Sequence, residues 1–134
     1  MRTSLSKLVA LAALLVGPCW GCGSSGGTPV PLIAVKGKVT YKGHPVTKGV
    51  VEFEPEGYGH PAKGQLQSDG TFQLTTFKLK LGDGVVAGAH RISISEFDKS
   101  LAKNRALRKY GSPNTSRLTA EVSPEKTEFT FDLK

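Results

Sequence analysis

Cysteine is almost absent from this chain of 134 residues, and both copies, Cys19 and Cys22, precede the part that we expect to fold. That part therefore has no internal disulfide bond. The longest apolar run, Leu8–Val16, has nine residues, whereas a membrane-spanning helix needs about 20. These two absences exclude a disulfide-rich scaffold and an integral membrane bundle.

Patterns that carry catalysis or metal binding are also missing. The serines lie outside any G-x-S-x-G turn, and no glycine-rich phosphate loop occurs. The histidines do not stand in the H-x-x-E or H-E-x-x-H spacing that places two zinc ligands on one element. His44 and His60 precede prolines in predicted surface loops, and His90 is in phase with a predicted strand, where we expect it to be partly buried. We therefore predict no catalytic residue, no metal site and no cofactor.

The amino-terminal segment has the layout of an exported lipoprotein. Arg2 and Lys7 supply a positive start, Leu8–Val16 is apolar, and Gly21-Cys22 follows. This layout resembles a bacterial lipobox, in which the leader is removed before a cysteine whose thiol is acylated. We therefore predict a signal peptide at residues 1–21 and a lipid on Cys22. The protein would be anchored to the cell membrane or the outer membrane, with its domain in the periplasm or at the cell surface.

Cys19 is the alternative attachment residue, because it lies closer to the apolar stretch. Pro18 precedes it, however, and a proline should resist cleavage there, whereas Gly21 before Cys22 is the small residue expected at that place. The Cys19–Cys22 spacing also matches a C-x-x-C redox motif. Redox chemistry would require a thioredoxin-like strand–helix–strand context, and this pair is instead preceded by an apolar leader and followed by glycine and serine.

After Cys22 the composition predicts two further parts. Residues 22–34, which are rich in glycine, serine and proline, predict a flexible tether, and residues 35–134 predict one folded domain. Short runs in this domain alternate between apolar and polar residues, and glycine and proline separate them. We therefore predict an all-β, antiparallel sandwich of six to seven strands. The predicted strand segments are Val35–Tyr41, Val46–Pro55, two hairpin arms within Gly64–Thr75, Gly88–Phe97, Leu118–Val122 and Glu128–Leu133.

The predicted hairpin has a turn that fixes its register. A two-residue loop would place Leu66 and Phe72 on opposite faces. The three-residue loop Ser68–Gly70 pairs Gln67 with Thr71 instead and brings three apolar side chains onto one face. These are Leu66, Phe72 and Leu74. We therefore predict the three-residue loop, a type I turn with a bulge in which Gly70 is left-handed.

A break in the strand pattern follows this hairpin. The run Phe77–Leu81 also alternates, but in the opposite phase from Phe72–Leu74, so that a bulge or break must lie near Thr75 and Thr76. Loop aspartates can bind calcium, but that ion needs six to eight oxygen ligands. We therefore predict structural turn residues rather than ligands at two places. They are Asp69, Gly70, Asp83 and Gly84.

The segment Lys99–Asn114 interrupts the strand pattern and contains no acidic residue. Apolar residues at 101–102 and 106–107 predict one short helical turn, which Gly111–Asn114 ends. Its cations could contact lipid head groups, at about 1 kcal/mol for each cation near the surface, or an acidic polymer; a solvated loop is the alternative. The candidate contact residues are Lys99, Lys103, Arg105, Arg108 and Lys109.

Several runs resemble the carboxypeptidase regulatory-like, transthyretin-like family of β-sandwich domains. They are Val39–Val46, Gly49–Pro55 and Ser68–Leu74. Gly82–Gly84, Gly88 and Tyr110–Thr119 further resemble small planctomycete lipoproteins of that type. The resemblance covers about residues 35–134 and implies an immunoglobulin-like or transthyretin-like sandwich without enzymatic activity. The functions it implies are adhesion, scaffolding or ligand binding.

The function predicted from these features is a non-catalytic, lipid-anchored module that binds or scaffolds something in the cell envelope. The net charge of +7 falls to +5 without Arg2 and Lys7. Because an exported protein rarely meets nucleic acid, we expect no nucleic-acid partner, and favour an envelope protein or an anionic polymer. The alternative is a carbohydrate or small-ligand binder that uses the loops at one end. Only Tyr58 and Tyr110 supply loop aromatics for it. The oligomeric state has no signature in the sequence.

Overall fold

Two packed four-stranded β-sheets and one short two-stranded sheet make up the fold, and the computed structural model describes residues 30–77 and 80–134. Both cysteines and the predicted signal peptide lie outside the described residues, as does Leu79. The strands are β1 (Leu32–Ile33), β2 (Lys36–Tyr41), β3 (His44–Pro45), β4 (Val50–Pro55), β5 (Ala62–Gln65), β6 (Thr71–Gln73), β7 (Val85–Val86), β8 (Gly88–Ser95), β9 (Leu118–Val122) and β10 (Glu128–Leu133). The helices are α1 (Lys99–Ala102), a 3₁₀ helix (Arg105–Gly111) and α2 (Pro113–Ser116). The predicted all-β sandwich is confirmed.

The sheet order places the first and last long strands side by side. One sheet is antiparallel in the order β5-β4-β8-β9, and the other has β2 at its centre, with β10 on one side and β3 and β6 on the other. Strands β2 and β10 are parallel, with Lys36 beside Glu128 and Tyr41 beside Leu133. This pair departs from the predicted antiparallel arrangement, which the other strand pairings of the described residues follow. After β9 the chain crosses to the other sheet, where β10 pairs with β2 instead of pairing with β9.

The hairpin register predicted from the sequence is confirmed. The Gln67 amide donates to the Thr71 carbonyl at 2.8 Å, and the Gly70 amide donates to the Gln67 carbonyl at 2.9 Å. Gly70 has a φ of 80°, as the bulged turn requires. Further along the arms Lys63 pairs with Thr75, which continues the same register. Leu66, Phe72 and Leu74 are all buried.

The two arms of this hairpin then belong to different sheets. Strand β5 pairs with β4, whereas β6 pairs with β2, so the hairpin joins the sheets along one side of the sandwich. The sheets come close there because two inward positions carry glycine. A side chain at Gly37 would meet the Phe72 ring at 2.5 Å, and one at Gly64 would meet the Gln73 carbonyl. These glycines are therefore required by packing and not by backbone conformation.

An aromatic cluster fills the space between the sheets. Phe53, on β4, is fully buried and lies between rings that come from the opposite sheet. Its ring centroid is 5.7 Å from that of Phe129, 6.0 Å from that of Phe131 and 6.2 Å from that of Phe72. Such tilted and edge-on contacts are favourable beyond the burial of apolar area. The cluster is thus the main contact between the two sheets.

Several predicted boundaries move in the structure. Between the predicted strands Val35–Tyr41 and Val46–Pro55 the chain turns at Lys42 and Gly43, both with positive φ, and the next two residues form β3 against β2. Leu32–Ile33 lies inside the predicted tether but pairs with Val85–Val86 as β1, since its side chains pack against the core. The folded part therefore begins before residue 35.

At two places the structure differs from what the alternation of apolar and polar residues predicts. Alternation along β8 places Ser93 outward, but it is buried, because the helical segment after β8 covers that position. The alternating run Phe77–Leu81 does not form a strand in its described residues, and Phe77 and Leu81 are exposed. The predicted break near Thr75 and Thr76 is present, since β6 ends at Gln73.

Replacing Gly37 by alanine should destabilise the domain by about 1–3 kcal/mol, the usual effect of overpacking a core. The added methyl group would collide with the Phe72 ring and the Phe129 carbonyl. Urea unfolding followed by far-ultraviolet circular dichroism measures the change. Gly111→Ala is the matched control, because nothing lies within 4 Å of its added methyl group. Equal stabilities of the two variants would contradict the packing role of Gly37.

Candidate functional site

The basic segment forms three short helical pieces and not the single turn predicted from the sequence. Each piece has its own amino-terminal cap. Asp98 accepts hydrogen bonds from the hydroxyl of Ser100 and from the amides of Ser100 and Leu101, and these bonds hold the pKa of its carboxyl below the ordinary value. Asn104 caps the 3₁₀ helix and Ser112 caps α2. Side chains of this kind satisfy amides that have no partner within the helix.

The segment is fixed to the sandwich by buried contacts. Leu107 and Tyr110 are buried, and the Tyr110 hydroxyl accepts a hydrogen bond of 3.1 Å from the Lys134 amide. The Asn104 side-chain amide donates to the Tyr41 hydroxyl at 2.7 Å. Ser116 is buried and donates from its hydroxyl to the Ile92 carbonyl. A packed platform, and not a free loop, thus displays the cations.

This platform covers one end of the sandwich. Strands β2, β8 and β10 all run toward it, since their last residues contact or adjoin the segment. We call residues 96–117 the cationic cap. It contains six basic residues against Glu96 and Asp98, a net charge of +4, whereas residues 22–134 together contain 16 basic and 11 acidic residues, a net charge of +5. Most of the excess positive charge is therefore concentrated at one end.

The candidate cations of the cap are exposed. They are Lys99, Lys103, Arg105, Arg108 and Lys109. The ion pairs found in residues 30–77 and 80–134 join Lys36 to Glu128, Lys63 to Glu52 and Arg91 to Glu54, all on the sheets. None of them involves the cap, where Lys109 instead lies 4.9 Å from the centre of the Tyr110 ring. The charge of the cap is therefore directed to solvent and can attract an anionic partner.

The cleft between β8 and the helical pieces of the cap is small for a ligand. It is lined by Phe97, Leu101 and Leu107 among others and has a volume of about 190 Å³, below the usual range for ligand sites. A larger recess of about 390 Å³ lies open on the face of β2, β6 and β10, where Lys36 and Glu128 form an ion pair. Tyr110 is buried and offers no stacking surface, which removes one of the two aromatics expected for carbohydrate binding.

The predicted turn residues make contacts within their own loops. The Asp69 carboxylate accepts hydrogen bonds from the hydroxyl and the amide of Thr71, and these bonds lower the pKa of its carboxyl. Asp83 accepts from the amides of Thr76 and Phe77, at 2.7 and 3.1 Å, and so closes the loop between β6 and β7. Gly84, with a φ of 102°, lies against the Ile33 carbonyl.

The histidines lie apart from one another. His44 and His60 are exposed, as predicted, whereas His90 is completely buried beside Phe53. Burial lowers the pKa of His90, and its Nδ1 atom donates to the Gly88 carbonyl at 2.9 Å. Within the described part of the chain, no three His, Cys, Asp or Glu side chains are grouped as metal ligands would be.

Comparisons with protein-family models, curated proteins and solved structures give no match to this chain. The resemblance to carboxypeptidase regulatory-like domains therefore stays a prediction. In residues 30–77 and 80–134 no helix is both long and apolar enough to cross a membrane.

Sequence reasoning missed the residues that fix the cap. Asn104 and the Ser112-Pro113 pair are recognisable helix-start signals, and attention to them would have predicted more than one helical piece. Arg117 ends α2 in the left-handed conformation, with a φ of 58°. The contacts of Tyr41 and Lys134 with the cap join distant parts of the chain and have no local signal.

Tyr110→Phe should lower the free energy of unfolding by about 1 kcal/mol, because it removes only the hydroxyl that holds the Lys134 amide. Tyr58→Phe is the matched control, since Tyr58 is fully exposed and should tolerate the change within about 0.5 kcal/mol. Urea unfolding of both variants provides the measurement. An unchanged stability of Tyr110→Phe would show that this bond does not fix the cap.

Proposed function

We propose that this protein is a non-catalytic, lipid-anchored module of the cell envelope that binds an anionic polymer through its cationic cap. The observation that carries the proposal is the group of exposed cations on a packed platform, none of which takes part in an ion pair among the described residues. A platform with fixed backbone presents its charges together, so that less conformational entropy is lost on binding. Membership of the carboxypeptidase regulatory-like lipoproteins is part of the same proposal.

The export and anchoring part of the proposal depends on the amino-terminal sequence. A leader of nine apolar residues with a positive start, followed by Gly21-Cys22, supports lipid attachment at Cys22, with Cys19 as the alternative. Two acyl chains on one cysteine give stable anchoring, whereas a single chain binds only marginally. The domain would then be held at a membrane surface while its cap remained free to bind.

An acidic polymer suits the cap better than a compact anion. The exposed cations extend from α1 through the 3₁₀ helix, so a repeating chain of negative charges can meet several of them together. Each contact is individually weak because it is exposed to solvent, and the affinity would come from their number. Binding of this kind depends strongly on salt.

Reversing Lys103, Arg105 and Arg108 to glutamate should weaken binding of the mature lipidated chain, in non-ionic detergent, to immobilised heparin. At about 1 kcal/mol for each cation, the loss is on the order of a hundredfold. The affinity of the unaltered chain should also fall steeply as salt rises.

The matched control reverses Lys38, Lys80 and Lys126, which are exposed, lie outside the cap and belong to none of the three ion pairs named above. It changes the net charge by the same amount. Equal losses in the two triple variants would show that only total charge matters, and the cap would then not be the binding site.

A further inference from the structure

Exposed aromatic side chains of the domain lie at the end opposite the cap. Among the described residues, the large apolar side chains that are exposed are Val30 (59%), Tyr58 (101%), Phe77 (48%) and Leu81 (85%). Leu81 lies beside Gln65 and Gln73 on the arms of the hairpin, whereas Tyr58 and Phe77 belong to loops at this end. We call Tyr58 and Phe77 the apolar tips. Single exposed apolar residues are common on any protein, but a group on one end indicates a contact surface.

The strand directions place the apolar tips at the end where the chain enters the domain. Tyr58 lies in the loop after β4, and Phe77 and Leu81 lie in the loop after β6. Both loops meet the short β1–β7 ladder, since Gly59 lies against Val86, and Gly84 lies against Ile33. The His60 ring is 5.4 Å from that of Phe77, so the two loops also contact each other.

This end lacks the one-sided charge of the cap in its described part. The Asp83 carboxylate is occupied by the amides of Thr76 and Phe77, and residues 30–35 contain no charged side chain. Glu56 and Lys80, which are exposed in the loops after β4 and β6, have opposite signs, as do Glu125 and Lys126 in the turn between β9 and β10. The domain therefore has two unlike ends, one cationic and the other bearing exposed aromatic side chains among charges of both signs. Strand β8, at about 3.3 Å per residue for eight residues, separates them by about 26 Å.

The position of the predicted anchor makes a membrane the natural occupant of the apolar end. Val30 lies eight residues after Cys22, and such a length of chain cannot exceed about 28 Å even when fully extended. A lipid on Cys22 would thus keep the entry end close to the bilayer surface. Tyr58 suits this place because tyrosine is enriched where apolar and aqueous regions meet.

We propose that the apolar tips rest in the interfacial layer of the membrane that holds the lipid, so that the cationic cap points away from it. This inference rests on the proposed anchoring at Cys22. It assigns the cap to a partner beyond the bilayer and the entry end to the bilayer itself. The strands would then run roughly along the membrane normal.

Tryptophan fluorescence in vesicles tests the contact. Tyr58→Trp places a probe on the tips of the mature lipidated chain, and Lys103→Trp places a matched probe on the cap; Trp20 is removed with the leader if cleavage occurs before Cys22. In phosphatidylcholine vesicles with brominated acyl chains, we expect at least twofold quenching at position 58 and almost none at position 103. Weak quenching at both positions, or stronger quenching at 103, would overturn the proposal.

Flotation of the same vesicles separates the two proposals. The wild type should float, and Cys22→Ala should not. If Cys19→Ala alone prevents flotation, the anchor moves to Cys19 and Trp20 stays in the mature chain, so that the quenching test of the tips is then made with Trp20→Phe added to both probe variants. A wild-type chain that fails to float refutes both proposals. Flotation without quenching at position 58 refutes only the apolar contact.

A dimer is the other possible partner of the tips. If a dimer shields the probe at position 58 from acrylamide, and the brominated lipid does not quench that probe, the tips contact a second copy and the proposed membrane contact is refuted.

Discussion

Phe53 is the side chain on which the two sheets depend for their contact. It comes from the central part of β4 and meets the rings of Phe72, Phe129 and Phe131, all of which belong to the opposite sheet. The remaining long strands are positioned by this contact, because β4 also pairs with β5 and β8. Both ends of the sandwich, with their different surfaces, are therefore held apart by one aromatic core.

Much of the fold follows from local patterns in the sequence. Alternation identified the long strands, and the burial of Leu66 together with Phe72 fixed the register of the hairpin correctly. The parallel pairing of β2 with β10 had no such signal, because alternation states which face is buried but not which strand is the neighbour. The separation of the hairpin arms into two sheets likewise depends on glycines, Gly37 and Gly64, whose role appears only when the opposite strand is in place.

The candidate site was only partly predictable. Its five cations were visible as a run without acidic residues, but its architecture was predicted as a single turn. The caps at Asp98, Asn104 and Ser112 divide it into three pieces, and distant contacts with Tyr41 and Lys134 hold it in place. The apolar end escaped the sequence reasoning because its members come from separate loops that only the strand directions bring together.

The central claim is that the two ends of the domain face different partners, and photo-cross-linking in native envelopes tests it most directly. A photoreactive amino acid would replace Tyr58 on the apolar tips or Arg108 on the cationic cap of the full chain. The account predicts lipid adducts from position 58 and adducts with an acidic envelope polymer, without lipid, from position 108. Lipid adducts from position 108, or the same adducts from both positions, would contradict it.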